Sequence, residues 1–281
     1  MRSRRSLTES LPCAVTTLLV SASLLFLSHS GTGAQDALGL DHFKCYRIVE
    51  GTPANDFVQL HDQFDVTADG VVQFEHVFVR DPVLFCNPVK KATSTGQVTP
   101  IVNEDNHLKM YFIAPTTAQT RTVLVTNQFT GTAITPLVVF QPLILAVPTQ
   151  KRPHGPPERL DHFKCHLVDG KSVDLPVALA DQFDTERVFV GRPLLLCNPT
   201  VKIHGQTIAG TDRDPALQDN VIKPGNPDAH LVCYRVVSPP TTAPTATPTR
   251  AVQVINQFDK EIIKVADPIL LCVPSRKQLA G

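Results

Sequence analysis

Hydrophobic and polar positions alternate along much of this chain. Every second residue is apolar in the stretch before each of four Gln-Phe pairs, and long stretches with helical periodicity are missing. Strict alternation places the apolar side chains on one face of an extended strand and the polar ones on the other. The pattern predicts half-buried β-strands in four segments, which are 58–64, 123–129, 177–183 and 252–258.

Four short apolar runs are continuous instead of alternating. They occupy residues 83–85, 143–145, 194–196 and 269–271, and a proline stands on each side of every run. A short continuous run predicts a strand that is covered on both faces. Because proline has no N–H to give to a central ladder, we expect the prolines to limit these strands.

These segments belong to a repeated unit. Asp41 to Cys45 recurs unchanged as Asp161 to Cys165, and looser copies begin near Asn106 and Ala229. Each copy ends in a lysine at the same offset, namely Lys91, Lys151, Lys202 and Lys277. The chain therefore contains four units, at 41–91, 106–151, 161–202 and 229–277.

The units group two by two. Residues 152–158, between the second and third units, are rich in proline and charge, which is typical of a stiff, solvated linker. We therefore expect two β domains, 38–151 and 159–278. Short strands and duplicated halves favour an all-β fold with two tandem β-sandwich or barrel-like domains, each built from two similar disulfide-stapled units. A single ring of four units is less favoured, because the linker separates the pairs.

Residues 1–34 have the pattern of a secretory signal peptide. Three arginines precede an apolar stretch from Leu11 to Leu27, and small residues precede Gln35. No second long apolar run follows that could span a membrane. We expect a secreted or periplasmic protein, and leave open whether the general or the twin-arginine route exports it.

The cysteines predict three disulfides. Of seven, Cys13 lies in the signal peptide, and an even number in an exported chain favours bridges. Unit 2 carries Met110 and Ala146 at the two cysteine positions, so bridges between units would leave Cys45 and Cys86 without partners. Pairing within units leaves none unpaired and predicts Cys45–Cys86, Cys165–Cys197 and Cys233–Cys272. Zinc at the His-x-x-Cys spacing is the alternative, weakened because His107 persists where both cysteines are lost.

Charge and composition exclude some classes of function. Lys+Arg and Asp+Glu number 26 each, and hydrophobic residues make up 42% of the chain. Removing the three Arg and one Glu of residues 1–34 leaves 23 basic and 25 acidic residues, a net charge of −2. A nucleic-acid partner is not expected from a chain without a basic excess. The apolar content is sufficient for a folded core.

Residues present in all four units are interpreted as structural. We expect the repeated histidines to make hydrogen bonds in the fold, the Asx before each Gln-Phe to hold a turn, and the repeated tyrosines to be core residues. The closing lysines are interpreted as solvated strand ends, with a basic, anion-binding ridge as the alternative. The histidines are His42, His107, His162 and His230, and the tyrosines are Tyr46, Tyr111 and Tyr234.

No motif for a nucleophile, a cofactor or a metal protease is present, so we assign no catalytic residue, no metal and no cofactor. A pair of carboxylates that meet in space needs no sequence signature and stays open. Where the units differ most, residues 203–228 contain His204, Asp212, Asp214 and Asp219. These are weak candidates for a calcium or ligand loop, and a plain solvated loop is the alternative.

The motifs His-x-x-Cys-Tyr, Asx-Gln-Phe and Pro-x-x-x-Cys-x-Pro-x-x-Lys resemble those of an uncharacterised family of secreted bacterial proteins with tandem copies of this unit. The resemblance covers nearly all of residues 41–277 and implies no activity. The chain departs from the pattern at Met110 and Ala146, and at His166, where the other units have Tyr.

We expect a non-catalytic exported binding or structural module for an unknown extracellular or envelope ligand. The alternative is a secreted hydrolase that uses a carboxylate pair in a cleft between units. A cleft with two inward acids and a raised carboxyl pKa would favour the enzyme.

Overall fold

The computed structural model describes residues 38–131, 133–204, 221–238 and 249–280. The predicted signal peptide, residues 1–34, lies outside these ranges. All the elements of the described residues are β-strands, which confirms the all-β prediction. None of the described residues forms a helix that is long and apolar enough to cross a membrane.

The strands are β1 (Phe43–Glu50), β2 (Asp56–His61), β3 (Glu75–Pro88), β4 (Lys90–Thr93), β5 (Val98–Thr99), β6 (His107–Ala114), β7 (Arg121–Asn127), β8 (Thr135–Lys151), β9 (Phe163–Asp169), β10 (Leu175–Ala180), β11 (Thr185–Pro199), β12 (Val201–His204), β13 (Val221–Ile222), β14 (His230–Val237), β15 (Arg250–Ile255) and β16 (Lys260–Leu279). Each unit supplies three kinds of strand. The first strands are β1, β6, β9 and β14, the outer strands are β2, β7, β10 and β15, and the closing strands are β3, β8, β11 and β16.

The first and closing strands form one closed ring. Antiparallel pairs run in the order β1, β3, β6, β8, β9, β11, β14 and β16, and β16 pairs again with β1. Closure leaves no unpaired edge among these eight strands. The described residues lie in one compact unit, and the ring joins strands of both predicted domains, 38–151 and 159–278, in one sheet. Strands β8 and β9, on either side of residues 152–158, pair with each other, as Ala146 with Phe163.

Each closing strand continues through the first proline of its apolar run. The pairing shifts register around Pro82, Pro142 and Pro193, and Tyr46 opposite Pro268 lies at a similar irregularity. The expectation that both prolines would limit these strands is therefore wrong for the first proline of every run. It is also wrong for the second proline in β8 and β16, which continue past Pro148 and Pro274, whereas β3 and β11 end at Pro88 and Pro199. A bulge leaves one residue out of the ladder, so a missing N–H costs little there. The strand bends at the bulge, and its earlier half pairs with an outer strand.

The interior of the ring contains the disulfides. Alternation along β1 turns Phe43 and Cys45 inward and Lys44 and Tyr46 outward. The bridges are Cys45–Cys86, Cys165–Cys197 and Cys233–Cys272, which are the within-unit pairs predicted above. Met110 and Ala146 lie opposite each other in the same buried cluster, so an apolar pair fills the place of a fourth bridge.

Units that are two apart along the chain are interlocked outside the ring. The segment after the closing strand of one unit pairs with the outer strand of the unit two along: β4 with β10, β12 with β2, the end of β8 with β15, and the end of β16 with β7. Units 1 and 3 therefore complete each other, as do units 2 and 4. Such crossed pairing explains why residues 152–158 do not separate two independent sheets.

Three buried lysines tie the same opposite units together. Lys44 Nζ contacts Asp184 and Glu186 at 2.5 Å each. Lys164 Nζ contacts Asp65 at 2.6 Å and Glu75 at 3.0 Å. Lys109 contacts Asp259 at 2.9 Å and also Glu261. All three lysine side chains have zero exposure, so each ammonium depends on the two carboxylates brought by the opposite unit.

The fourth copy of this arrangement is neutral at every position. Unit 4 has Val232 where the other units have the lysine. Its opposite partner is unit 2, which has Thr130 and Thr135 where the others have Asp and Glu. The lysine and both acids are thus absent together, which leaves no buried charge unpaired at this copy.

Restoring the charges in unit 4 tests this arrangement. Val232→Lys alone is expected to lower the free energy of unfolding by about 3–5 kcal/mol, because it buries an ammonium without a partner. Adding Thr130→Asp and Thr135→Glu is expected to recover most of that loss, as measured by guanidinium unfolding with disulfides intact. The Thr130→Asp/Thr135→Glu double variant is the control. Strictly additive effects in this cycle would contradict the proposed pairing.

Candidate functional site

The repeated histidines lie at the junctions between neighbouring units. His107 Nε2 is 3.0 Å from Oε1 of Gln182 in the next unit, and His162 Nε2 is 3.2 Å from Oε1 of Gln257. All four histidines are buried. Burial lowers the pKa of His107 to about 4 and that of His162 to about 3, with the nearby closing lysine acting in the same direction. The rings are therefore neutral, and these contacts agree with the structural role predicted for them.

The Asx of each Gln-Phe element holds a turn, as predicted. In every unit an Asx Oδ1 accepts the backbone N–H of the Phe two residues later: Asp62 at 2.7 Å, Asn127 at 2.9 Å, Asp181 at 3.0 Å and Asn256 at 2.8 Å. The second polar atom of the Asx faces the tyrosine of the opposite unit in units 2, 3 and 4, and that of Asp62 in unit 1 faces His166. Tyr46 Oη donates to Asp181 at 2.9 Å, and Asn256 Nδ2 donates to Tyr111 Oη at 2.8 Å. The tyrosines are thus buried packing residues.

The four closing lysines are not solvated strand ends, and that interpretation is wrong. Lys91 and Lys202 are fully buried, Lys151 is nearly so, and Lys277 is half-buried. Each ammonium lies over the Phe of the next unit's Gln-Phe element. The distances from Nζ to the ring centroid are 4.4 Å for Lys91–Phe129, 4.3 Å for Lys151–Phe183, 5.5 Å for Lys202–Phe258 and 4.0 Å for Lys277–Phe64. Packing between units at the strand ends buries them.

Burial makes Lys91 a source of pH dependence. It lowers the pKa of Lys91 to about 7, and the neighbouring His42 has a pKa well below its ordinary value and stays neutral. An unfolded lysine keeps its proton to a pKa near the model value of 10.5, so above pH 7 the unfolded chain binds more protons than the folded one. The contribution of Lys91 to the free energy of unfolding therefore rises with pH across this window.

Lys91→Met is expected to flatten this pH dependence. The slope of unfolding free energy against pH should fall by up to about 1.4 kcal/mol per pH unit between pH 7 and 9.5, because one titrating group is removed. Guanidinium titrations from pH 6.5 to 9.5 measure it. Lys90→Met is the matched control, since Lys90 is exposed and should leave the slope unchanged. Equal slopes in all three proteins would show that Lys91 keeps an ordinary pKa.

The predicted ligand loop falls largely outside the described residues. Asp212, Asp214 and Asp219 are not among them, and only the backbone of His204 is described, paired with Val58 at the end of β12. The calcium or ligand hypothesis for residues 203–228 thus stays a prediction. Within the described ranges, no group of three or more His, Cys, Asp or Glu side chains is placed to hold a metal ion.

An apolar cavity of about 470 Å³ lies at the end of the ring where the first strands end. We call this end the mouth, and the cavity the mouth cavity. All four units line it through the first two positions of their apolar runs: Val83, Leu84, Leu143, Ile144, Leu194, Leu195, Ile269 and Leu270. The first strands add Arg47, Phe112 and Leu167. Below the lining, the same cluster contains the disulfides, so the floor of the cavity is cross-linked.

Exposed aromatic side chains lie at the mouth and on strands that continue beyond it. Phe112, which lines the cavity, is 39% exposed, and Phe78 and Phe189 are exposed on closing strands β3 and β11. Phe78 lies opposite Ala114 and Phe189 opposite Val237, at the far ends of first strands β6 and β14. The face that is interior within the ring thus continues outward as an apolar surface open to solvent.

A second cavity, of about 260 Å³, is polar and occurs beside unit 1. Unit 1 has a longer connection than the others between its Gln-Phe element and its closing strand, and Val66, Gln73 and Phe74 of that connection form one wall. The cavity is also lined by Asp65, Glu75, Thr117, Gln119 and Arg121. We call it the polar cavity.

His166 lies behind this polar cavity. Its Nε2 is 2.7 Å from Asp62 Oδ2, and its Nδ1 is 3.1 Å from Gln119 Nε2. Arg121 donates to Gln119 Oε1 at 2.8 Å, and since arginine can only donate, the amide nitrogen faces His166. His166 Nδ1 also lies 3.4 Å from the backbone carbonyl oxygen of Phe140, and Nε2 donates to Asp62 Oδ2. The departure from Tyr to His thus replaces a Tyr–Asx hydrogen bond by a His–Asp one.

The sequence patterns predict the lining residues of neither cavity. The four apolar runs predict strands covered on both faces. Their first residues, such as Val83, are only half-buried, because they follow the bulge at which the strands bend. A sequence signal did exist for the polar cavity, in the longer connection of unit 1 and in His166. No local signal marks the mouth cavity, which exists only once all four units close the ring.

A family model described as a repeat of unknown function (DUF7450) matches residues 106–236. The matched range begins in unit 2, crosses residues 152–158 and ends in the first strand of unit 4. It therefore supports the repeat and assigns no activity. No curated protein and no solved structure matches the chain.

Proposed function

We propose that the protein is a non-catalytic exported binding module whose ligand is a small apolar molecule held in the mouth cavity. The observation that carries this proposal is the aliphatic lining contributed by all four units around a space of about 470 Å³. Ligand sites are typically concave, between about 300 and 1,000 Å³, and mostly apolar with a few polar groups. The mouth cavity has this character, with Arg47 as its charged member.

The surrounding scaffold supports binding with little rearrangement. Leu84, Ile144, Leu195 and Leu270 are nearly fully buried and pack on the layer that contains the three disulfides. A pocket whose walls are already fixed loses little conformational entropy when a ligand enters. The cavity is therefore suited to a ligand that fits its existing shape.

The disulfides support the exported part of the proposal. Three disulfides are compatible with an oxidising or extracellular location. Together with the signal pattern of residues 1–34, they favour secretion into such a compartment.

Filling the cavity should weaken binding without unfolding the protein. The probe is 1-anilinonaphthalene-8-sulfonate, whose fluorescence rises in apolar surroundings, titrated into the folded protein. Leu143→Trp places an indole in the cavity and is expected to weaken probe binding at least about tenfold, since about 1.4 kcal/mol of lost contact suffices. The thermal midpoint should stay within a few degrees.

Leu279→Trp is the matched control. Leu279 is 61% exposed and does not line the cavity, so the same substitution there should leave probe binding unchanged. Equal binding by the wild type and Leu143→Trp would exclude the mouth cavity as the site.

The hydrolase alternative has one specific observation in its favour. Asp65 and Glu75 both line the polar cavity, and burial together with the Asp62 carboxylate raises the pKa of Asp65. Two inward acids with one raised pKa meet the condition set for an enzyme. Against it, both acids bind Lys164, as the equivalent acids bind Lys44 and Lys109 in other units, which indicates a structural role.

Asp65→Asn separates these two interpretations. The wild type is screened against generic glycosidase, esterase and peptidase substrates, and the binding-module proposal expects no turnover. The matched variant is Asp184→Asn, at the equivalent repeat position but outside the polar cavity. Turnover that is lost in Asp65→Asn and kept in Asp184→Asn would establish the hydrolase instead.

A further inference from the structure

We propose that the ligand of the mouth cavity is a single-chain anionic amphiphile of the fatty-acid type. Its hydrocarbon chain would enter the cavity, and its carboxylate would bind Arg47 and Arg235 at the rim. This inference rests on the proposed function and specifies its ligand class.

Two arginines lie on one side of the mouth, and apolar side chains lie on the other. The second residue after the first-strand cysteine position is Arg47 in unit 1, Phe112 in unit 2, Leu167 in unit 3 and Arg235 in unit 4. Arg47, Phe112 and Leu167 all line the cavity. Since units 4 and 1 are neighbours in the ring, the two arginines belong to one half of the mouth.

Strand alternation places both arginines on the interior face. Leu231 and Cys233 of β14 belong to the interior cluster, whereas Val232 and Tyr234 pack on the outer side. Arg235, two residues after Cys233, continues the interior series and is exposed at its end. Arg47 has the same relation to Cys45.

The guanidinium of Arg47 can exchange its present partner for a ligand. Its Nη2 contacts Asp267 Oδ2 at 3.3 Å, and the two side chains are 51% and 43% exposed. An exposed pair of this kind contributes little to stability and yields to a better-placed carboxylate. Arg235 makes no ion pair with any residue in the described ranges. Guanidinium groups bind carboxylates through paired hydrogen bonds, which an alcohol or an alkane cannot offer.

The polarity of the walls defines the rest of the ligand. Apart from Arg47, the lining consists of aliphatic side chains, one proline and one phenylalanine, so a polar or branched polyol has no hydrogen-bond partner inside. A linear hydrocarbon chain satisfies these walls, and each methylene that enters is expected to tighten binding about fourfold until the cavity is full. A cationic head group would be repelled by the two arginines at the rim.

The experiment separates chain from head group. Isothermal titration of the full, disulfide-intact chain is carried out with octanoate, decanoate and dodecanoate, and with decanol and decyltrimethylammonium, all below their aggregation concentrations. We expect affinity to rise with chain length and decanoate to bind at least about tenfold more tightly than decanol. Decyltrimethylammonium should bind most weakly.

Arg47→Gln/Arg235→Gln is expected to bring decanoate down to the affinity of decanol and to leave decanol unchanged. Arg276→Gln, at an exposed arginine outside the cavity, is the control and should keep the preference. If the double variant fails to fold, the head-group series on the wild-type protein still tests the proposal.

The outcomes distinguish the two proposals. Equal binding of decanoate and decanol, or tighter binding of decyltrimethylammonium, would overturn the anionic assignment and keep the apolar site. Failure of every chain to bind would overturn the binding module itself. A preference for decanoate over decanol that survives the double arginine substitution would also contradict the assignment.

Discussion

The ion pairs between buried lysines and the carboxylates of opposite units are the constraint on which this fold depends. A fully buried ammonium needs its partners in place, and in each charged copy, as for Lys44 with Asp184 and Glu186, they come from the unit two positions along. Units 1 and 3 must therefore face each other, and so must units 2 and 4. The closed ring of four units meets both requirements, and the neutral set at Val232 keeps the geometry without the charges.

Closure then divides the side chains of each ring strand between two environments. Inward positions carry the disulfides and aliphatic residues, and outward positions carry the lysine and tyrosine that meet the opposite unit. The outward face is filled by repeated, mutually dependent contacts, so it has little freedom to vary. The inward-facing side chains lose their neighbours across the ring where the strands bend at the proline bulge, and the mouth cavity opens there. The bulge therefore links a local feature of the backbone to the binding surface.

The features that depend on residues close together in the sequence could be predicted from it, and those that depend on residues far apart in the sequence could not. Strand alternation, the Asx turn at Asp62 and the Cys45–Cys86 pairing follow from spacing within a unit, and the structure contains all of them. The burial of Lys91 could not be predicted in this way, because the aromatic side chain that covers its ammonium is Phe129 of the next unit. Ring closure and the mouth cavity depend on pairing between residues more than two hundred positions apart in the sequence, such as Lys44 and Leu271. No local pattern encodes that pairing.

The positions that differ among the units indicate where selectivity resides. Cys45 and its equivalents, the Asx and the closing lysine each have a packing partner that restricts the residue type, whereas the position occupied by Arg47, Phe112, Leu167 and Arg235 borders open space. Because it borders the cavity, this position carries charge on one side of the mouth and apolar surface on the other. For the proposed ligand the fourfold scaffold thus has a direction, because a single anionic end can pair only with the half of the mouth that carries the arginines. At this proposed site, specificity is set at the rim and affinity is set by the aliphatic walls below it.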